Sequence, residues 1–296
     1  MTESPIIGIL TKPGTEGEYE DYEFFEKRYV HFVEAGGARA VPIKYTSTHE
    51  EMDKIFSQIN GVLFTGGGSD LVTENGSWIQ FSLAGKYLIS LAKKANDNGD
   101  YFPIWGICLG FEMMIILEAE EDILGFCPYH LCSSYNPPLV MENESTPYNT
   151  KMLSLFTPEY FTIAQISGWT PNWHSFLVLE KDFYESSTVS DTYKIVATSY
   201  STDFTIKYIA MVEGKKYPFY AVQFHPEKNV YKFYPGDDVV HTLDAIRMSQ
   251  FFSLFFVNEA RLNAHSFPDV QQQNLASVYH HKIVFYANEF RFIIPS

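Results

Sequence analysis

The order of short apolar runs and helical segments over the first third of the chain is the feature that most narrows its fold. Residues 5–10 (PIIGIL), 38–43 (ARAVPI), 61–65 (GVLFT) and 102–107 (FPIWGI) are brief apolar runs of the kind that form buried strands. Between the first two, residues 19–35 place Tyr22, Phe25, Tyr29, Phe32 and Val33 at helical spacing, and Gly36 and Gly37 end the run as a helix C-cap does. Residues 49–58 and 77–96 read as two more helices. Repeated strand, helix, strand implies right-handed crossovers and a parallel sheet covered by helices on both faces. The expected fold class is therefore α/β, with a mostly parallel central sheet.

From about residue 121 the pattern changes to a Pro-, Ser- and Asn-rich stretch, CPYHLCSSYNPP. Three strand-like runs follow, at 193–200, 205–213 and 217–224, close enough together to form a hairpin or meander that extends the sheet. Residues 238–259 form an amphipathic helix, and the tail 282–296 reads as one more edge hairpin. With no internal repeat and no low-complexity linker, residues 1–296 are expected to be a single domain.

A hydrophobic fraction of 46%, with 17% aromatics, supplies a substantial core. The formal net charge of −15 argues against nucleic acid or an anionic membrane as partner, since both are recognised through clustered Lys and Arg. There is no run of about 18 apolar residues, so no membrane insertion is expected. The three cysteines, Cys108, Cys127 and Cys132, are too few for a disulfide framework; a Cys127–Cys132 pair and two buried thiols both fit. The chain is either cytosolic or has had a signal peptide removed. The sequons at Asn75 and Asn143 favour the secretory route.

Cys108 stands in Gly106-Ile107-Cys108-Leu109-Gly110, a strand-to-helix elbow that projects a nucleophile from the C-terminal edge of a sheet, where α/β proteins bind ligands. A helix beginning just after it aims N–H groups and a positive dipole end at the sulfur, which favours thiolate. The Leu109 N–H is placed to hold an oxyanion. The bland reading is a small buried hydrophobe in a Gly-tolerant turn. VQFHPE then supplies His225 as proton shuttle and Glu227 to orient its ring, at the end of another strand. In FTGGGSD, Gly66 and Gly67 allow close backbone approach to a ligand, and Gly67 is a candidate second oxyanion N–H. The competing phosphate-loop reading lacks the Lys-Ser/Thr ending.

These residues carry a resemblance. GICLG around Cys108 and HPE at 225–227 resemble the class I glutamine amidotransferase superfamily, and within it the chain looks like the gamma-glutamyl hydrolase family. PIIGIL, INGVLFTGG, DYFPIWGICLGFE, YPFYAVQFHPEKN and FFVNEARLN stand in that family's order and spacing over nearly the whole chain. The resemblance implies a three-layer α/β/α, flavodoxin-like sandwich and hydrolysis of folylpoly-gamma-glutamates through a thioester on Cys108. It also implies no metal or organic cofactor, a homodimer, and a lysosomal, vacuolar or secreted location, as a glycoprotein. It makes Cys108 the nucleophile, His225 the proton donor and acceptor and Glu227 the third member. Gly66, Tyr29 in KRYVHFVEAGG and His174 in WTPNWHSF become substrate-binding positions. For Tyr29 and His174, simple packing is the alternative. Thr65 replaces a common Pro, and Ile107 is bulkier than the usual Thr; neither removes a reacting group. The rivals are a hydrolase of another gamma-glutamyl compound, a glutamine amidotransferase subunit, which often has Gln where Glu112 stands, and a catalytically dead binding protein on the same fold.

Overall fold

Ile6–Leu10 forms strand β1, buried at every position, as a strand covered on both faces must be. It pairs in parallel with β4 (Arg39–Ile43) on one side and β5 (Gly61–Phe64) on the other, with Ile7 opposite both Ala40 and Gly61. Gly8 permits this packing: a Cβ there would lie 2.5 Å from the Ile43 side chain and 2.6 Å from that of Ile59. The computed structural model describes residues 1–14, 21–142, 145–166 and 168–296. In it the chain divides into two units, one of Met1–Trp105 with Ser253–Ser296, the other Gly106–Phe252. Of the sequence expectations, the start of the 19–35 helix and Asn143 of the second sequon fall outside the described residues.

In the first unit the crossovers are α1 (Lys27–Ala35), α2 (His49–Phe56) and α3 (Gln80–Asp97). A capping box starts α2, where the Thr48 side chain takes the Glu51 N–H and Glu51 reaches back to the Thr48 N–H. Beyond α1, Gly37 turns the chain at φ +87°. Asn60 ties the sheet to the C-terminal segment: its Oδ1 accepts from Ile6 N–H (2.8 Å) and its Nδ2 donates to Asn263 Oδ1 (3.0 Å).

The helix expected over 19–35 is shorter than its spacing implied. Residues 22–26 are a strand, β3 (Tyr22–Glu26), and α1 begins only at Lys27. The cause is non-local. β3 pairs antiparallel with the C-terminal strand Glu289–Pro295, Phe25 opposite Phe292 and Phe24 opposite Ile293, and tertiary pairing overrides local periodicity. The tail hairpin, Lys282–Tyr286 with Glu289–Pro295, therefore belongs to a separate four-stranded sheet completed by β3 and the short β2 (Lys12–Pro13).

The second unit holds the expected meander: Tyr193–Tyr200, Lys207–Gly214 and Phe219–Val222 pair antiparallel in sequence order, with Val140–Met141 added outside. Beside it lies α4 (Leu109–Ala119), buried from Leu109 through Leu117, a helix apolar almost all round, as one enclosed in a core must be. It follows β6 (Ile104–Ile107) directly through Cys108. The helix expected over 238–259 runs Leu243–Ala260, starting where Thr242 Oγ1 accepts the Ala245 N–H (3.3 Å). Trp169 packs edge-on to Phe224 and stacks on Phe252. Among the described residues no helix is long and apolar enough to cross a membrane.

Candidate active site

Cys108 occupies the elbow that the sequence implied, and its backbone is strained to hold it there: φ is +51° and ψ −109°, outside the regions that non-glycine residues favour. Gly106 makes the bend possible. A Cβ on it would lie 2.9 Å from the Gly110 backbone and 2.7 Å from the Met114 sulfur. The Cys108 N–H donates to the Val222 carbonyl (2.9 Å), which anchors the elbow to the strand leading into the His-Pro-Glu segment.

At the sulfur, the thiol donates to the Trp173 carbonyl (3.7 Å), and Gln223 Nε2 lies 4.0 Å away. Gln223 also donates to Glu112 Oε1 (2.8 Å), one turn into α4. Burial pushes the Cys108 thiol well above its ordinary range and the Glu112 charge adds to this, while Lys228 and the Leu109 N–H pull the other way. The helix start favours thiolate as expected, but in the resting site burial outweighs it and the sulfur keeps its proton. Glu112 is itself pushed up to about 7, chiefly by burial, against its bond from Gln223.

His225 and Glu227 lie on the same unit and form a buried pair, Nδ1 to Oε1 at 2.9 Å. His225 is fixed through its backbone as well, its N–H donating to the Pro171 carbonyl (2.8 Å). Its ring meets the Trp173 ring at a steep angle, and the Lys228 ammonium sits 3.8 Å from the Trp173 ring centre. Lys228 is thus buried against an aromatic face and not solvated on the surface.

His174 is held by a clamp around residues 172–177. Asn172–Trp173 pairs with Ser133–Tyr135, and Phe176–Leu177 with Gly125–Phe126. Between those partner strands Cys127 and Cys132 form a disulfide, resolving the two readings left open by the sequence. The His174 N–H donates to the Cys132 carbonyl (3.2 Å), and the Cys127 N–H to the Ser175 carbonyl (2.8 Å). The His174 ring is buried, with Nε2 on Asn172 Oδ1 (3.0 Å) and Tyr208 edge-on. Burial, with His225 nearby, pushes it down to about 3, so it is neutral at any physiological pH.

Gly66, Gly67 and Tyr29 belong to the first unit. The Gly66 carbonyl accepts from the buried Lys12 ammonium (2.6 Å), and a Cβ on Gly67 would lie 2.5 Å from that same nitrogen. The Tyr29 ring is wholly buried beside the Arg28 guanidinium. The structure therefore brings Cys108, Leu109, His174, His225 and Glu227 onto one unit and leaves Tyr29, Gly66 and Gly67 on the other. Trp173, Asn172 and Gln223 were not singled out from sequence. Gln223 carried a signal, a polar residue inside an apolar strand run two positions before His225; Trp173 did not, since it acts through its carbonyl. Among the described residues no group of His, Cys, Asp and Glu is arranged to hold a metal ion.

Such a site, with a buried thiol, an imidazole oriented by a carboxylate and N–H groups at a helix start, suits acyl transfer. A family profile, Glutamine amidotransferase class-I, matches residues 21–233. The gamma-glutamyl hydrolase of Mus musculus is 32% identical over 289 residues, spanning 97% of this chain and 87% of that protein. Gamma-glutamyl hydrolase B of Dictyostelium discoideum is 34% identical over 279 residues, spanning 91% of this chain and 76% of that one. The solved glutaminase domain of Trypanosoma brucei CTPS with bound acivicin superposes with a TM-score of 0.56 at 13% identity, over 90% of this chain and 97% of that one. That likeness is one of fold, an α/β sandwich with a mostly parallel sheet, as the strand and helix order implied.

Proposed function

The chain belongs to the gamma-glutamyl hydrolases, within the class-I glutamine amidotransferase family, and on that premise we propose that it cleaves folylpoly-gamma-glutamates through a gamma-glutamyl thioester on Cys108. The observation that carries the residue roles is the buried His225–Glu227 pair on the unit whose elbow strains Cys108 into position.

In the first step His225 takes the thiol proton as sulfur attacks the gamma-carbonyl carbon. Because burial keeps the resting thiol protonated, this transfer accompanies attack, and Glu227 stabilises the imidazolium that forms. The Leu109 N–H holds the oxyanion. The carbon–nitrogen bond then breaks, and the departing amine leaves with the proton from His225. Water adds to the thioester, giving its proton to His225, and the carbon–sulfur bond breaks to release the acid and restore the thiol. Each step balances without metal or organic cofactor. His174 is assigned to substrate binding, acting as a neutral hydrogen-bonding group.

The disulfide at Cys127 and Cys132 and the exposed sequon at Asn75 support a lysosomal, vacuolar or secreted glycoprotein, since such bridges persist in oxidising compartments. A homodimer is the assembly proposed on family grounds. To test the thioester, folate pentaglutamate is turned over with hydroxylamine present. A thioester is intercepted as a hydroxamate, and Cys108→Ala yields neither acid nor hydroxamate; acid release by that variant at the native rate would refute the role of Cys108.

A further inference from the structure

The first unit also contains a cavity of about 1070 Å³ between β2, β3, the C-terminal strand and the loop after β5. Lys12, Phe24, Glu26, Asp70, Glu74 and Arg291 line it. Its two cations differ in what they have left to offer. The Lys12 ammonium is spent: it is fully buried and bonded to both oxygens of Glu26 (2.8 and 3.1 Å) and to the Gly66 carbonyl (2.6 Å). Burial pulls Lys12 below its usual range. For Glu26 burial acts in the opposite sense, but the charges of Lys12, Arg28 and Arg291 outweigh it and hold the carboxyl down to about 2.

Arg291 is different. Its guanidinium stands 4.3 Å from the Phe24 ring centre and 5.0 Å from that of Tyr286, and its Nε is buried with no hydrogen-bond partner among the described residues. Aromatic faces fix the plane of the guanidinium, and a guanidinium fork so held suits a planar carboxylate. On the other side of the balance are Asp70 and Glu74, both exposed carboxylates of the loop. A guanidinium and two exposed carboxylates in one lining complement a ligand carrying both signs.

We infer that this cavity binds a small zwitterion of the α-amino acid class, its carboxylate on Arg291 and its ammonium toward Asp70 and Glu74, with the side chain against Phe24. The inference does not rest on the hydrolase reading.

The test is calorimetric titration of the full chain with L-leucine and with L-glutamate, and with 4-methylpentanoate and glutarate, which lack the ammonium. At least one amino acid should bind saturably, and its des-amino partner at least about ten-fold more weakly, the scale of one lost charge-assisted contact. Arg291→Gln should weaken amino acid binding by the same factor while melting as the native protein does. If that variant fails to fold, Arg291→Lys keeps the charge, loses the fork and should still bind more weakly. Absence of saturable binding by either amino acid, equal binding of the des-amino compounds, or native affinity in the folded Arg291 variant would each overturn the site.

Discussion

His225 Nδ1 lies 2.9 Å from Glu227 Oε1, with both side chains buried. Two residues of one short segment thus fix the orientation of the imidazole and direct its other nitrogen away from the carboxylate. Glu227→Gln keeps the shape but removes the charge that stabilises imidazolium and permits the wrong tautomer. Activity should fall by roughly 10²- to 10⁴-fold with the circular dichroism unchanged. Steady-state rates on folate pentaglutamate check this; a variant as active as the native protein would remove Glu227 from the mechanism.

Gly106→Ala should damage the elbow itself. The added methyl meets the Gly110 backbone at 2.9 Å, and backbone cannot swing aside as a long side chain can. A loss of about 1–3 kcal/mol is expected from overpacking of this kind, together with a fall in activity larger than the stability loss explains. Denaturant melts and rates measured on the folded fraction separate the two.

Glu112 gives the fold a pH dependence of definite sign. Its folded carboxyl titrates at about 7 against an ordinary 4.5, so between these values the folded state binds more protons than the unfolded chain. Its contribution to stability therefore falls as pH rises through that window. Glu112→Gln should flatten the slope in denaturant midpoints across the same range. It also removes the negative charge that helps to raise the Cys108 thiol, so alkylation of Cys108 should begin at lower pH. Parallel profiles for variant and native protein would contradict both expectations.

The Cys127–Cys132 bridge closes a short loop, with a sequence separation of 5. Replacing both cysteines by serine should cost about 2 kcal/mol, the value for closing so small a ring. Because His174 and Ser175 are hydrogen-bonded to this loop through their backbones, KM should rise more than kcat falls. Thermal melts and a kinetic comparison provide the check.

Local pattern made most of the fold legible. β1, β4, β5 and β6 form where brief apolar runs alternate with helical spacing, and the Cys108 elbow and the His225 segment were readable because glycine and proline mark the bends. What stayed hidden depends on distant pairing. Tyr22 and Phe25 have helical spacing relative to Tyr29, yet they form a strand because Phe292 and Ile293 wait at the far end of the chain. No local signal marks the Trp173 carbonyl as the partner of the thiol, since every residue has a carbonyl. The raised Cys108 thiol was hidden for a related reason: the helix start that favours thiolate is local, whereas the burial that opposes it comes from the whole fold.

The most direct measurement of the central claim is incubation of the native protein and Cys108→Ala with folate pentaglutamate at acidic and at neutral pH, products being separated by chain length. Shortened folates from the native protein, and none from the variant, are the expected result. Intact pentaglutamate at both pH values with the native protein, or equal cleavage by the variant, would contradict the claim.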